Sequence, residues 1–248
     1  DKRTWVSSGV YYELLVRSSK ISTWVYMEKK IDCILTSCGR WDLLSTTLSS
    51  FFWFADLPIA NFWVYEDSGQ PIPEYFKAEF PLIKWIEPLK KTGQIFAIDS
   101  LYSKVENEYI MFLEDDWTFT KTGFIKPSLD ILESDPKIMQ VWIRNPNDRN
   151  GHPAFGGIRK ANGGTKYQLM SPNFAGGKFR GFSFNPGLRR LSDYKLIGPY
   201  SNITTFDPKQ PLNSEIAVGQ AYYRKGFRSA TLLDGYVVHS GNGRHIKP

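Results

Sequence analysis

Cysteine is nearly absent: Cys33 and Cys38 are the only two in 248 residues. On an extended segment, five steps of about 3.3 Å set their Cα atoms roughly 16 Å apart. A disulfide spans no more than about 7 Å. Two reduced thiols are expected, and with them a cytosolic setting. The pair also lacks the spacing and partners of a zinc site. No apolar run reaches the roughly 18 residues of a membrane-spanning helix, and no signal-peptide pattern opens the chain. The first residue is Asp1 rather than Met, which leaves preceding segments open. No block of five like charges occurs, so there is no basic tail. The formal charge of +6 fits an anionic ligand such as a nucleotide diphosphate. It fits weak attraction to nucleic acid or a membrane surface equally well, and a mildly basic solvated surface accounts for it too. With 42% hydrophobic and 15% aromatic residues, the chain can bury a real core, which argues against a disordered chain.

Two phosphate-binding devices are also missing. No G-x-G-x-x-G follows the first expected strand, so a dinucleotide cofactor lacks its cradle. No G-x-x-x-x-G-K-[ST] occurs, which argues against a P-loop NTPase. What stands out instead is Tyr109-Ile110-Met111-Phe112-Leu113-Glu114-Asp115-Asp116-Trp117. Its apolar run suits a parallel strand buried on both faces. In open α/β sheets ligands sit beyond the carboxyl ends of the strands. Three acids crowded there repel one another unless a cation lies between them. That implies a hard divalent ion, Mg2+ or Mn2+, completed by water and phosphate. A solvated acidic turn closing the strand is the alternative.

Periodicity places core strands at 31–36, 61–65, 82–86, 109–113 and 138–143. Helices are expected at 41–51, 93–106, 124–134 and 214–225, the last N-capped by Asn213 or Ser214. Strands alternating with helices imply right-handed βαβ units and a parallel sheet. Residues 145–187 are rich in Gly, Asn and Pro and read as a long functional loop or lid. A short helix is expected over 189–195 and one or two strands over 227–238. Residues 1–30 read as an extension or linker.

Four features, in order, resemble a nucleotide-sugar-dependent glycosyltransferase of the GT-A fold, closest to the family 2 type. They are Ile31 to Trp41, the turn Glu66-Asp67-Ser68-Gly69, Gly93-Gln94 opening a helix, and the acidic triplet. The likeness covers residues 31–120 well and 180–245 more loosely. It implies an α/β, Rossmann-like, mostly parallel central sheet flanked by helices. A nucleotide-sugar-binding half at 31–145 would be followed by a smaller acceptor-binding half at 146–248. It also implies a nucleotide-diphosphate sugar donor, a glycan or other hydroxyl acceptor, and Mn2+ or Mg2+, with no nucleic acid partner. In such enzymes the last acid of the triplet binds the metal, which is Asp116 here, and the middle one, Asp115, faces the ribose. Glu114 stands where the family commonly has Asp. Asp67 matches the acid that contacts the base, and Thr36 and Arg40 border the nucleotide, although Arg40 also reads as a surface side chain. His239 and His245 follow the last strand, where some members place a metal ligand. Glu215, opening a helix, matches the base of an inverting enzyme. The helix start is expected to lower its pKa. Asp207 and Asp193 are rivals for that role, and His152 in the loop reads as solvent-exposed or functional.

The leading expectation is therefore a metal-dependent, inverting transfer of a sugar in the cytoplasm, with peripheral attachment to a membrane left open. The alternatives are a carbohydrate- or nucleotide-binding module without turnover, supported by the aromatic content, and a metal-dependent nucleotidyltransferase. The latter usually needs a glycine-rich loop, for which Ser37-Cys38-Gly39 is a poor substitute.

Overall fold

The structure, a computed structural model, describes residues 29–149, 151–205, 212–241 and 243–244. Nearly all of the expected extension at 1–30, together with Asp207 and His245, lies outside them. In chain order the elements are β1 (Ile31–Ser37), α1 (Trp41–Phe54), β2 (Ile59–Glu66), α2 (Glu74–Glu79), β3 (Ile83–Ile86) and α3 (Gln94–Tyr102). They continue with β4 (Tyr109–Glu114), β5 (Trp117–Phe119), α4 (Ile125–Ser134), β6 (Ile138–Trp142), β7 (Ala154–Lys160) and β8 (Lys166–Met170). The last are β9 (Gly187–Arg190), α5 (Leu191–Ile197), α6 (Leu212–Arg224), β10 (Arg228–Leu232) and β11 (Val237–His239).

A nine-stranded sheet runs β3-β2-β1-β4-β9-β6-β10-β8-β7. The first four strands are parallel, as continuous apolar runs require. β1 is buried along its whole length and β4 up to its last residue, Glu114. Helix α1 buries Leu43, Leu44, Leu48 and Phe51, and α3 buries Ile95, Ile98, Leu101 and Tyr102. Phe51 is fully buried among Phe52, Phe62, Phe119 and Phe124; cutting it to Ala would cost about 3–5 kcal/mol. Two buried or half-buried carboxylates tie loops to this core. Asp32 accepts from Glu106 N at 2.8 Å and Asn107 Nδ2 at 2.7 Å. Asp56 caps α4 through Ile125 N at 2.8 Å and Lys126 N at 2.9 Å.

Beyond β4 the sheet is mixed, and three expectations need correction. The expected loop at 145–187 contributes the antiparallel pair β7–β8, which extends the sheet from β10. Its glycines had masked the strands. The expected helix at 189–195 begins at Leu191, because Arg189 and Arg190 belong to β9, antiparallel to both β4 and β6. These two arginines are buried, at 2% and 9% exposure, because their guanidinium groups reach carbonyls. Arg190 donates to Leu132 O at 2.7 Å and Ile138 O at 2.6 Å, while Arg189 donates to Ser183 O at 2.6 Å. Helix α6 starts at Leu212, so Asn213 and Ser214 lie in its first turn rather than capping it. Apart from the main sheet, β5 pairs with β11 in a small antiparallel ribbon.

Candidate active site

The carboxyl ends of β1, β2 and β4 lie side by side. Thr36 stands opposite Glu114 on one flank and Tyr65 on the other, and Ser37 stands opposite Glu66. The chain then turns at Gly39, which has φ +71° and suits glycine. The turn delivers Arg40 at the start of α1, toward the acids. Its guanidinium pairs with Asp115 Oδ1, reaches Asp115 Oδ2 at 3.1 Å through Nε, and lies 3.0 Å from Asp116 Oδ2 through Nη1. The cation demanded by the crowded acids is thus partly supplied by the chain itself. Asp115 also accepts from Ser37 Oγ at 3.2 Å and Cys38 N at 3.4 Å. Burial pushes its carboxyl up to about 6 despite Arg40. For Asp116, burial pushes the same way, but hydrogen bonding from His239 and the charge of Arg40 outweigh it and hold the carboxyl low.

His239 reaches this place through the β5–β11 register, which sets it opposite Trp117. Its Nε2 lies 3.3 Å from Asp116 Oδ2. The neighbouring backbone comes so close that a side chain at Gly241 would collide with the Asp116 carboxylate. One carboxylate oxygen, of the kind Mn2+ and Mg2+ take, and one imidazole nitrogen converge beside a cradle that any Cβ would fill, and the same oxygen lies 3.0 Å from Arg40 Nη1. Such ions take few protein ligands. Among the described residues no larger cluster of His, Cys, Asp or Glu with metal-binding spacing occurs.

Glu114 is held by neutral side chains, Gln94 and Trp117. Its Oε1 accepts from Gln94 Nε2 at 2.8 Å. Burial, and then the charges of Asp116, Glu215 and Asp115, push its carboxyl well up. Asp67 is tied to the neighbouring loop: Oδ1 accepts from Thr92 N at 2.6 Å and Thr92 Oγ1 at 2.7 Å, and Oδ2 from Gly93 N at 2.8 Å. It fixes the loop that opens α3 at Gly93-Gln94. The adjacent Glu66, fully buried, accepts from Gly39 N at 2.7 Å through Oε1, while its buried Oε2 has no partner.

Glu215 approaches from the second half of the chain. Its Oε1 accepts from Ser183 Oγ at 2.8 Å and Phe184 N at 2.7 Å, and among the described residues Oε2 takes no hydrogen bond. The expected lowering of its pKa is overturned. Burial raises it, and the bonds from Phe184 and Ser183 and the charges of Arg189 and Arg144 only moderate the rise. Asp193 is removed as a rival: it pairs with Arg190 at 3.0 Å, and Arg190 stands opposite Tyr109 at the amino end of β4, away from the acids. His152 is not a solvent-exposed loop residue. It packs against Trp142, Phe174 and Phe179 and, pressed by burial and then by Arg144 and Arg149, has its pKa lowered to about 4. Arg144, Arg149 and Ser183 were missed as site residues. Arginines in a Gly/Asn-rich stretch look solvated, and nothing local marks their burial.

No protein-family model matches the sequence, and no curated protein matches it. Solved structures do. GalNAc-T7, solved with UDP, GalNAc and Mn2+, aligns over 89% of the chain with a TM-score of 0.59 and 13% identity. The mannosyltransferase PcManGT from Pyrobaculum calidifontis, solved with GDP-Man and Mn2+, aligns over 95% with a TM-score of 0.60 and 11% identity. S. aureus TarS 1–349 aligns over 86% with a TM-score of 0.58 and 14% identity. The chain spans 45%, 64% and 60% of the length of these three structures. They are GT-A glycosyltransferase structures, and this chain has their fold, with parallel core strands in a mixed sheet flanked by helices. No described helix is long and apolar enough to cross a membrane.

Proposed function

We propose that the protein is a metal-dependent, inverting glycosyltransferase that moves a sugar from a nucleotide-diphosphate sugar to an acceptor hydroxyl. The observation that carries it is the carboxyl end of β4, where Arg40 and His239 both converge on Asp116, with Glu215 from residues 146–248 adding to the charge felt by the same acids. Glu215 adds to the charge that raises the Glu114 pKa, which supports a base and an acidic triplet that act together. The ligands of the structural neighbours, UDP and GDP-Man with Mn2+, belong to the same chemistry.

In this scheme Asp116 and His239 would hold Mn2+ or Mg2+, with His245 as a further candidate. The ion, when bound, supplies Lewis-acid screening of the departing diphosphate. Arg40 adds fixed positive charge at the place where the leaving group gathers negative charge. Asp115 holds Arg40 in that position. Thr36, Gly93 and Gln94 border the nucleotide, and Asp67 acts through the loop it anchors. The free Oε2 of Glu215 takes the proton of the acceptor hydroxyl. The acceptor oxygen then bonds to the anomeric carbon as the bond from that carbon to the diphosphate breaks. A raised pKa makes Glu215 a stronger base than a solvated glutamate. The two free thiols, Cys33 and Cys38, support a cytoplasmic setting. Incubation with UDP- and GDP-sugars plus Mn2+ should release nucleoside diphosphate. Nucleotide binding without release from any donor would reduce the protein to a binding module.

A further inference from the structure

Beside Glu215 lies a cavity of about 280 Å3, walled by Trp142, His152 and Phe174 and flanked by Arg144 and Arg149. That is just below the usual range of ligand pockets, roughly 300–1,000 Å3, and large enough for a single sugar ring. The transfer chemistry uses Glu215 alone among these residues, so the two guanidinium groups need another explanation. Arg144 is only 4% exposed. Its backbone is held by a bridge to Val237, and its guanidinium stacks 4.7 Å over the ring of Trp117. It pairs through Nη2 with the half-exposed Asp148 at 2.9 Å, but its Nε is buried with no hydrogen-bond partner. Arg149 donates to Pro146 O at 2.8 Å and lies 4.0 Å from the Met170 sulfur. Among the described residues no carboxylate is within ion-pair reach of it. Two cations therefore face a cavity whose one lining carboxylate, Glu215, is already held by Ser183 and Phe184. Burying such charge without full pairing is costly unless a ligand completes it.

We infer that this cavity takes the acceptor, and that the acceptor is a saccharide carrying a carboxylate or phosphate, paired with Arg144 and Arg149 while a hydroxyl rests at Glu215. Arginine forks match either anion, and aromatic walls suit a sugar ring. The inference rests on the proposed glycosyltransferase reading and names the substrate class of its acceptor half.

The test is a ligand-observed NMR titration of the whole chain with glucose, glucuronate and glucose 6-phosphate in the presence of UDP and Mn2+, with UDP affinity measured alongside. One or both anionic sugars should bind at least about tenfold more tightly than glucose, and the margin should shrink as salt is added. Which of the two binds separates carboxylate from phosphate. Arg149→Gln should abolish the preference with UDP affinity held within about twofold, as an acceptor contact predicts. Arg144→Met should do the same; if it fails to fold, Arg149→Gln carries the test. Equal affinity for glucose, or an anion preference that survives Arg149→Gln, overturns the inference while UDP binding stands. An equal loss of UDP affinity in Arg149→Gln also overturns it and assigns the arginines to the donor. Absence of UDP binding overturns the underlying reading and this inference together.

Discussion

Replacing Glu215 by Gln removes a proton acceptor and little else. The carboxylate is held through one atom, Oε1, by Ser183 Oγ at 2.8 Å and Phe184 N at 2.7 Å. The carbonyl oxygen of a glutamine accepts the same two bonds, so the side chain keeps its place. The atom that changes is the free one: Oε2, able to take a proton, becomes an amide NH2 that cannot. Losing general-base catalysis costs about 10²–10⁴-fold in transfer, or roughly 3–5 kcal/mol of barrier. Donor affinity should stay within about twofold, because among the described residues the Glu215 hydrogen bonds go to Ser183 and Phe184 and to none of residues 31–145. Stability should not suffer either. Burial raises the Glu215 pKa in the folded state. Its favourable contribution is therefore complete below the unfolded pKa and is lost as pH rises through the folded one. Glutamine carries no such penalty at neutral pH. The assay pairs initial transfer rates with donor calorimetry and a melting curve. Transfer within tenfold of the parent protein would remove Glu215 as the base. Simultaneous loss of donor binding would mean that it serves the donor or the fold.

Three further outcomes are expected. Nucleotide binding should weaken in EDTA and recover with Mn2+, and His239→Ala should blunt the recovery; calorimetry showing full-strength binding in chelator would refute the metal role. Arg40→Met strips Asp115 and Asp116 of their shared guanidinium, and breaking a buried pair typically costs about 3–5 kcal/mol. Added Mn2+ should return part of that loss in a melting curve, whereas an unchanged midpoint without metal would show that the pairing contributes nothing. Asp193, raised by burial from 3.8 to about 6 despite Arg190, contributes stability that is complete below pH 3.8 and lost as pH rises through 6. Going from pH 7 to pH 5 should therefore stabilise the parent protein by about 1 kcal/mol more than Asp193→Asn. Parallel pH profiles for the two would refute that assignment.

Much of the segment 31–145 was legible in the chain because its evident features are local. An unbroken apolar run as short as Ile110–Leu113 suits a strand buried on both faces, and Glu114, Asp115 and Asp116 follow it directly, so strand and acids come as one unit. The stripe of Leu44, Leu48 and Phe51 similarly announces α1 and the face it buries. Tertiary structure decided who meets whom. His239 joins Asp116 only through the pairing of β11 with β5. Arg40 closes on both acids only because β1 lies beside β4. Asp67, which resembles a base-binding acid in sequence, also ties down Thr92 and Gly93. Arg144, Arg189 and Arg190 read as solvated charges until carbonyls, an aromatic ring and a cavity surround them. Periodicity reports which way a side chain faces along its own segment. The partner that sets a buried charge's energy comes from a distant segment, and only the folded chain brings the two within reach.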